Sequence, residues 1–547
     1  MVNLDIKSIS SLEKVLPVQE ITFSDHKRGT TLKNEEYSYQ IAVKALENIH
    51  GIKELKLEVE SDIATKVSLY NVRCVSVLNP MFYDEPDENY ILKGPGMMPD
   101  VLDEYSDYVM VSSNYYSSIW VSITVDESVE AGNHDIKIMF KDEEGTWGES
   151  SFELDVIDQV LPKLHIPYTN WLHCDCLSSY YETEPLSEKH WELIENYIKT
   201  ATDYGMNMIL TPVFTPPLDT KVGLERPTVQ LVDVAFENGE YKFEFEKLLR
   251  WIELCKKYEI EYLEISHLYS QWGAEHTPKI EVMEDDKLIK KFGWHTDSLG
   301  DEYKKFISQF IPALKTFLDG KWDEKKVYFH ISDEPNEKHI ETYGKIRDFI
   351  KPILGDMKHL DAMSHFEFYE NGLVDVPVIA TTSIQDFMDK NIEELWAYYC
   401  CGSGKFNLSN RFLGMSSQRN RVIGIQLYKF DIKGFLQWGY NFYYSQLSTH
   451  LINPYLTTES DGGFPAGDSF VVYPGRKGPV QSIRLKVFNE ALQDLRALKL
   501  LEEKMGRSAV MELIEDVKDF RVYPSEAEYF LNIRKKVNEL IRNCIVD

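Results

Sequence analysis

The chain has 547 residues, too many for one compact core, and this length predicts two or three domains. Hydrophobic residues make up 43% and charged residues 27%, as is usual for a globular protein, while the formal net charge is -30. Because so acidic a surface repels nucleic acids and anionic membranes, neither is expected as a partner.

The sequence shows neither a targeting signal nor a membrane-spanning segment. No run of about 18 apolar residues occurs, so membrane insertion is not expected. The first residues, MVNLDIKSISSLEKV, have no basic start followed by a long apolar core, so we expect no signal peptide. The odd count of seven cysteines favours reduced thiols and a cytoplasmic protein over a disulfide framework.

Residues 1–160 are predicted to be all-β. The runs 67–72, 119–125 and 135–140 alternate or stay apolar over the length of a strand. Turn residues around Gly132 and Gly145 separate the later runs. This pattern favours a β-sandwich, either as a sugar-binding module or as a structural support for the next domain.

From residue 161 to 505, strands alternate with amphipathic helical patterns. Eight candidate strands lie near 165–172, 206–212, 260–266, 326–332, 358–363, 376–381, 394–400 and 432–438. Eightfold alternation of this kind predicts a (β/α)8 barrel of the TIM type. The weakest helical patterns lie around 383–393 and 411–426, and the last barrel helix is predicted to begin near Ser482.

Residues 506–547 contain two further amphipathic patterns, near 508–520 and 525–544. They predict a C-terminal helical extension packed on the barrel. Within the barrel, the segments after strand three (267–301) and strand eight (439–478) are long. Since barrel enzymes enlarge the loops that follow their strands, these loops indicate the active-site face.

The fourth barrel strand ends in two adjacent acids. The apolar run from Val327 leads directly into Asp333 and Glu334, and Pro335 follows where a helix can begin. Carboxyl groups at this end of a barrel strand lie on the catalytic rim. The pair is therefore the first candidate for catalysis.

Glycoside cleavage normally uses an acid on one face of the sugar and a second group on the other. Asp333 and Glu334 are neighbours and cannot easily flank a sugar, so the nucleophile is another residue or the substrate itself. A 2-acetamido sugar supplies one, because its carbonyl oxygen can close on the anomeric carbon as an oxazoline. Two acids this close also raise the pKa of one of them, which suits a general acid.

Four motifs resemble the family 123 glycoside hydrolases, the β-N-acetylgalactosaminidases. They are SDEP (332–335), NWLHCDC (170–176), GFLQWGYN (434–441), and GDS (467–469) followed by VYPG (472–475). The resemblance implies a retaining, oxazoline-type mechanism on terminal β-linked GalNAc, including glycolipid glycans. It also implies that Glu334 is the acid/base and that Asp333 orients the acetamide. No cofactor is expected.

Other residues at strand ends are candidates for sugar binding. Trp171, His173 and Asp175 alternate at the end of the first strand, and the alternative is a buried Trp beside a satisfied His–Asp pair. His173 with the nearby cysteines also suggests zinc, but no second ligand cluster with matching spacing follows, so no metal is expected. Trp438 and Asn441 follow strand eight, where Trp438 either stacks under the sugar or packs in the core.

Tyr398 and Tyr399 end the seventh strand, where a phenol could hold the acetamide oxygen. One of them is expected to face the barrel interior and the other the helix layer. Asp468 is a candidate for a hydroxyl contact, or else a turn residue. The loop after strand three carries His267 and Trp272, and it builds a second subsite or serves as a structural lid.

The sequence therefore predicts an exo-acting β-N-acetylgalactosaminidase whose partner is an oligosaccharide or a glycolipid glycan. One alternative is another retaining β-glycosidase, with Glu264 or Asp297 as a protein nucleophile. The position of Glu264 inside the third strand, rather than at its end, counts against it. A second alternative is a carbohydrate-binding protein without turnover, which the intact acid pair disfavours.

Overall fold

The computed structural model describes residues 3–546, except 48, 50, 83–86 and 104–106. Up to residue 160, the described part of the chain contains ten strands, β1–β10. Their bounds are Leu4–Ser10, Arg28–Lys33, Glu35–Ala45, Lys53–Glu60, Val67–Val77, Gly96–Asp103, Tyr108–Val111, Ser117–Val125, Gly132–Asp142 and Gly145–Val160.

These strands form two five-stranded sheets, ordered β1-β3-β8-β5-β6 and β2-β10-β9-β4-β7. Successive side chains of a strand point to opposite faces, so one face of each sheet can be apolar throughout. Ile41 and Val121 of the first sheet share a hydrophobic core with Leu57 and Ile138 of the second. The two sheets therefore enclose one core.

The second part of the described chain contains fourteen strands, β11–β24. Their bounds are Tyr168–Asn170, Met208–Thr211, Asp233–Glu237, Glu240–Glu244, Tyr262–Ile265, Ile280–Glu284, Lys287–Phe292, Val327–Phe329, Lys358–Met363, Val376–Ala380, Trp396–Tyr398, Gly434–Gln437, Tyr473–Pro474 and Pro479–Val480. Eight of them close a parallel barrel in the order β11-β12-β15-β18-β19-β20-β21-β22. Each lies inside one of the predicted strand regions, so the prediction of a closed eight-stranded parallel barrel is confirmed.

The segments after the second and third barrel strands contain four further strands that the sequence did not predict. Strands β13, β14, β16 and β17 form a four-stranded sheet in the order β14-β13-β16-β17. The hairpin β16–β17 occupies the middle of the long segment 267–301. This sheet is built from the segments that follow the second and third barrel strands.

Eleven α-helices, α1–α11, lie within the described residues. Their bounds are Cys174–Tyr180, Glu188–Asp203, Glu246–Lys257, Asp301–Leu318, Ile340–Leu354, Glu367–Glu370, Gln385–Met388, Ser417–Lys429, Ile483–Met505, Arg507–Leu513 and Ala527–Val546. Ser482 caps α9 by accepting a hydrogen bond from the Leu485 N–H at 3.1 Å. Helices α10 and α11 confirm the C-terminal helical region. None of these helices combines the length and the apolar composition needed to cross a bilayer.

The N-terminal sheets contact the barrel through buried charges. Arg484 of α9 pairs with Asp100 of β6 at 2.9 Å, and both side chains are buried. The Nη1 atom of Arg484 also donates to the carbonyl oxygens of Gly467, at 2.5 Å, and Phe470, at 2.8 Å. Gly467 has φ = 89°, and a Cβ there would lie 2.8 Å from this Nη1. The loop before α9 is thus held by Arg484, whose guanidinium is paired with a carboxylate of the N-terminal sheet. The predicted domain boundaries at 160/161 and 505/506 stay predictions.

Candidate active site

The two acids lie at the mouth of the barrel, after its fourth strand. Strand β18 is fully buried, as are residues 330–332 that follow it, whereas Asp333 and Glu334 are half-buried. The backbone of Glu334 is left-handed, with φ = 44°, which is uncommon for a residue with a side chain. Backbone strain of this kind concentrates at functional sites.

Backbone hydrogen bonds tie the acids to neighbouring strands on both sides. The Trp272 N–H, from the loop after β15, donates to the Asp333 carbonyl oxygen at 2.8 Å. The Glu334 N–H donates to the carbonyl oxygen of Ala362, in β19, at 3.1 Å. The strained turn is therefore fixed by its surroundings, and the carboxyl groups are pre-positioned.

Tyr398 reaches the acid pair from the seventh barrel strand. Its hydroxyl donates to Oε1 of Glu334 at 2.6 Å. Burial, followed by the charge of Glu334, raises the pKa of Tyr398 well above its usual range, so the phenol remains a donor. Tyr399 instead packs its ring on Phe435 with centroids 5.0 Å apart, in the core between barrel and helices. Tyr398 is thus the tyrosine of the pair that faces the barrel interior.

The acid pair is electrostatically coupled. Burial and then the neighbouring Glu334 raise the pKa of Asp333 well above its usual range, while the positive charge of His330 opposes the rise. A third carboxyl, Asp219, also acts on Asp333. Burial raises the pKa of Asp219 to about 6, and its Oδ2 accepts the Leu447 N–H at 2.9 Å. Close acids in a buried site favour one shared proton over two full charges.

A fully buried charged cluster lies beneath the pair. His330 Nε2 is 2.5 Å from Glu264 Oε1, and His330 Nδ1 is 3.1 Å from Asp361 Oδ1. Glu264 also accepts hydrogen bonds from Thr169 Oγ1 at 2.6 Å and from Trp171 Nε1 at 2.7 Å. The carboxylate of Glu264 is thus committed to three partners inside the barrel.

His267 stacks on His330 with ring centroids 4.1 Å apart and planes 13° apart. His267, His330 and Asp361 place one ligand atom each within 4.8 Å of the others. A metal lies in the plane of an imidazole ligand, so two parallel stacked rings do not converge on one ion, and both nitrogens of His330 face carboxylates. This group lacks the geometry of a metal site.

The predicted residues after strand eight form one wall of the mouth. Trp438 is half-buried, and its Nε1 donates to Asp468 Oδ2 at 3.2 Å. Burial raises the pKa of Asp468 to about 7, although Arg411 and the Trp438 indole oppose it. Asn441 is buried, and its Oδ1 accepts the His173 N–H at 2.8 Å. The structure therefore brings Trp438 and Asp468 together, and it uses Asn441 to hold the backbone of the first strand's loop.

Asp175 and His173 are occupied by buried partners. Asp175 Oδ2 lies 2.9 Å from Arg226 Nε, and both side chains are 2% exposed. His173 Nε2 lies 2.8 Å from the carbonyl oxygen of Trp438. Burial and then the Arg226 charge lower the pKa of His173 to about 4, so the ring is neutral and its Nε2–H donates to that carbonyl. Asp175 therefore forms its ion pair with Arg226 and not with His173.

Trp272 and Trp171 differ sharply in exposure. Trp272 is 46% exposed and has φ = 55°, a strained residue on the rim beside the acids. Trp171 is 3% exposed, with its ring edge-on to both His267 and His330. Trp272 is therefore accessible to a substrate at the mouth, whereas Trp171 lies below it.

Three residues of this arrangement were missed as site residues in the sequence analysis: Asp219, His330 and Asp361. His330 and Asp361 are polar residues within apolar runs, and this signal was available because buried charge needs a partner. Asp219 stands in an irregular loop with no such pattern. Asp297, the alternative nucleophile, is exposed, and its Oδ1 accepts the Leu299 N–H at 3.0 Å.

Acids at the carboxyl end of a parallel barrel strand lie where barrel enzymes have their catalytic residues, and a pair of carboxyl groups is what glycosidases commonly use. Residues 171–501, more than half of the chain, match the family model described as "Glycoside hydrolase 123, catalytic domain". The chain therefore belongs to glycoside hydrolase family 123, and the predicted resemblance is confirmed. No curated protein matches the chain.

The chain was compared with solved structures. A family 123 glycoside hydrolase from Clostridium perfringens superposes with a TM-score of 0.70 at 14% identity, covering 100% of this chain and 97% of that one. A Bacteroides ovatus xyloglucanase has a TM-score of 0.31 at 7% identity, covering 85% and 98% of the two chains. A β-glucuronidase from Ruminococcus gnavus has a TM-score of 0.32 at 8% identity, covering 83% and 66%. The first of these supports the architecture of the whole chain.

Proposed function

We propose that the protein is a retaining exo-β-N-acetylgalactosaminidase that removes terminal β-linked GalNAc by substrate-assisted catalysis. The observation that carries the proposal is the acid pair itself. Asp333 and Glu334 are consecutive and held in one strained turn, so both approach the sugar from the same strand end. A nucleophile opposite the leaving group is then supplied by the acetamide of the substrate.

In this mechanism Glu334 gives its proton to the glycosidic oxygen as the bond to C1 breaks. The acetamide carbonyl oxygen attacks C1 and closes an oxazolinium ring, while Asp333 accepts the amide N–H and balances the positive charge. Glu334 then takes a proton from water, which attacks C1 and reopens the ring. Two inversions at C1 leave the β-configuration unchanged.

The closeness of the two acids supports a division of roles between them. One shared proton on the pair leaves one acid ready to donate and the other ready to accept. Tyr398 donates to Glu334 at 2.6 Å and so orients its carboxyl group towards the mouth. This hydrogen bond also stabilises the carboxylate that forms when Glu334 has given up its proton.

The identity of the sugar and of its carrier rests on family likeness. The C. perfringens relative is described by its hydrolysis of glycolipid glycans, and we propose the same substrate class for this chain. Trp438 and Asp468 at one wall are the proposed sugar contacts, with Trp272 on the rim beyond them. The other predicted residues are proposed to support the residues that contact the sugar. They are His173, Asp175, Asn441, Trp171, His267 and Tyr399.

We also propose that the two N-terminal sheets form a β-sandwich that supports the barrel rather than binding sugar. The buried ion pair between Asp100 and Arg484, at 2.9 Å, favours this role. Through Arg484 it connects the sheet to the loop that carries Asp468. A protein nucleophile is less well supported. Glu264 and Asp361 are fully buried and hydrogen-bonded, so Asp219 is the remaining carboxyl that acts on Asp333.

The experiment is the release of nitrophenol from β-GalNAc, β-GlcNAc and β-galactose glycosides, with the product anomer read by NMR. Cleavage of the acetamido sugars alone, with retention and with inhibition by a GalNAc-thiazoline, is expected. Equal rates on the β-galactoside would remove the acetamide from the mechanism. In that case Asp219→Asn tests the protein nucleophile directly, since trapping of a covalent glycosyl group should then depend on Asp219.

A further inference from the structure

Several residues around the barrel mouth have a strained backbone. Besides Glu334, five residues of the loops after the second, third and eighth barrel strands have φ values between 40° and 60°, a region that side chains other than Asn and Asp rarely adopt. They are Asp219, Trp272, Ala274, Leu447 and Ser448. Strain of this kind persists only where the surrounding structure holds it in place. The contacts of these loops therefore show what fixes the mouth.

Asp219, in the loop after the second barrel strand, is bound to the loop after the eighth. Its Oδ2 accepts the Leu447 N–H at 2.9 Å, and its backbone carbonyl oxygen accepts the Ser448 hydroxyl at 2.6 Å. The Lys221 N–H adds a third hydrogen bond, to the Leu447 carbonyl oxygen at 3.0 Å. Because β11 lies between β22 and β12 in the barrel, these contacts reach across the end of the first strand.

Asp219 is also bound to the loop after the third strand. Its N–H donates to Oε1 of Gln271 at 2.5 Å, and Nε2 of the same amide donates to the Thr220 carbonyl oxygen at 3.4 Å. Gln271 immediately precedes Trp272, whose N–H donates to the Asp333 carbonyl oxygen at 2.8 Å. A continuous chain of direct contacts therefore joins Asp219 to the backbone of the acid pair.

We propose that Asp219 is a positioning residue that ties the three mouth loops together and so fixes Trp272 and the backbone of Asp333. The inference deepens the proposed function and rests on it, because it gives Asp219 a role beside Asp333 other than attack on C1. Residues 272–274 all have positive φ, so this segment can relax once its contacts are lost. A displacement of about 1 Å at reacting groups can cost about 100-fold in rate.

The residue type at position 219 fits this role. At φ = 40° most side chains are disfavoured, whereas Asp and Asn are tolerated. The side chain serves as an acceptor for the Leu447 N–H, and an amide oxygen can accept the same hydrogen bond. A nucleophile, by contrast, needs the carboxylate itself. Asp219→Asn therefore distinguishes the two roles.

The test compares kcat/KM of the wild type, Asp219→Asn and Asp219→Ala on a nitrophenyl β-GalNAc glycoside, each at its own pH optimum. Both variants remove the same charge, so the difference between them comes from the acceptor oxygen and the tolerance of the backbone conformation. Asp219→Asn should stay within about threefold of the wild type, whereas Asp219→Ala should lose about 10- to 100-fold. Ser448→Ala, which leaves Asp219 in place and removes the hydroxyl bound to its carbonyl, should lose about 3- to 10-fold.

The matched control is Asp375→Ala. Asp375 is also half-buried and accepts a backbone N–H, that of His359 at 3.2 Å, but it directly precedes β20 and so lies at the opposite end of the barrel. Because contacts at that end serve stability, its loss should lower the melting temperature and leave kcat/KM within about twofold. A loss of activity in Asp219→Ala alone then separates positioning from a general loss of stability.

Hydrogen exchange followed by mass spectrometry gives a readout independent of activity. Exchange should be faster in Asp219→Ala for the peptides that contain Trp272 and Leu447, and it should match the wild type in Asp219→Asn and in the rest of the barrel. Equal activities of Asp219→Asn and Asp219→Ala would overturn the inference, and so would unchanged exchange in Asp219→Ala. Failure of the proposed function is read from the wild type alone, as equal cleavage of the β-galactoside, and it leaves the exchange results in place.

Discussion

Replacing Tyr398 by Phe removes one hydroxyl and the hydrogen bond of 2.6 Å that it donates to Glu334. The ring keeps its place in the barrel interior, so the loss is confined to that bond. A hydrogen bond to a charged group contributes about 1.5–3 kcal/mol, and each 1.36 kcal/mol is about tenfold in rate. We therefore expect kcat/KM to fall by about 10- to 150-fold.

The next residue is the matched control. Tyr399 is also fully buried, and its hydroxyl has no hydrogen-bond partner within the described part of the chain. Tyr399→Phe should leave kcat/KM within about twofold and should not lower the melting temperature, since it removes an unsatisfied buried hydroxyl. Both variants are assayed on a nitrophenyl β-GalNAc glycoside and on a natural glycan. Equal losses in the two variants, or none in Tyr398→Phe, would refute the role of this bond.

Three further predictions concern charge. Glu334→Gln should lower kcat by about 10²- to 10⁴-fold on glycosides with poor leaving groups and much less on dinitrophenyl glycosides, which need no proton; a uniform loss would contradict its role as acid. Asp175→Asn leaves Arg226 buried without its counter-ion and should lower the free energy of unfolding, measured with urea, by about 3–5 kcal/mol. The control is Asp203→Asn, which removes an exposed ion pair with Lys199 and should lower it by less than about 1 kcal/mol. The pKa of His330 is raised from 6.5 to about 9 on folding, so its stabilisation of about 3 kcal/mol is complete below pH 6.5 and lost as the pH rises through 9. The difference in unfolding free energy between wild type and His330→Asn should shrink accordingly, and a constant difference would disprove the linkage.

Most of the barrel strands were predictable because they are short, largely apolar runs followed by a polar loop. All eight runs fall where the structure has a strand, and Ser482 caps α9 as expected. The position of Asp333 and Glu334 was predictable for a related reason. Two acidic residues that directly follow a buried barrel strand lie on the rim of the barrel. Their placement at the mouth follows from the local sequence.

What depends on contacts between distant segments could not be predicted. Tyr398 and Tyr399 are identical in type and adjacent, and only the closure of the barrel decides which one meets Glu334. The helical pattern of 383–393 forms no more than the single turn Gln385–Met388, and that of 411–426 begins at Ser417. In the first segment tertiary packing overrides a helical propensity that is weak by itself.

The ion pair between Asp100 and Arg484 limits how the chain can be truncated. A barrel expressed from residue 161 onward would keep the Arg484 guanidinium in its interior but lose the only carboxylate that it contacts among the described residues. The carbonyl oxygens of Gly467 and Phe470 would then be held by an uncompensated cation, next to the loop that carries Asp468. We therefore expect the catalytic part of the chain not to fold as an autonomous module, so domain shuffling would have to transfer the N-terminal sheets together with it.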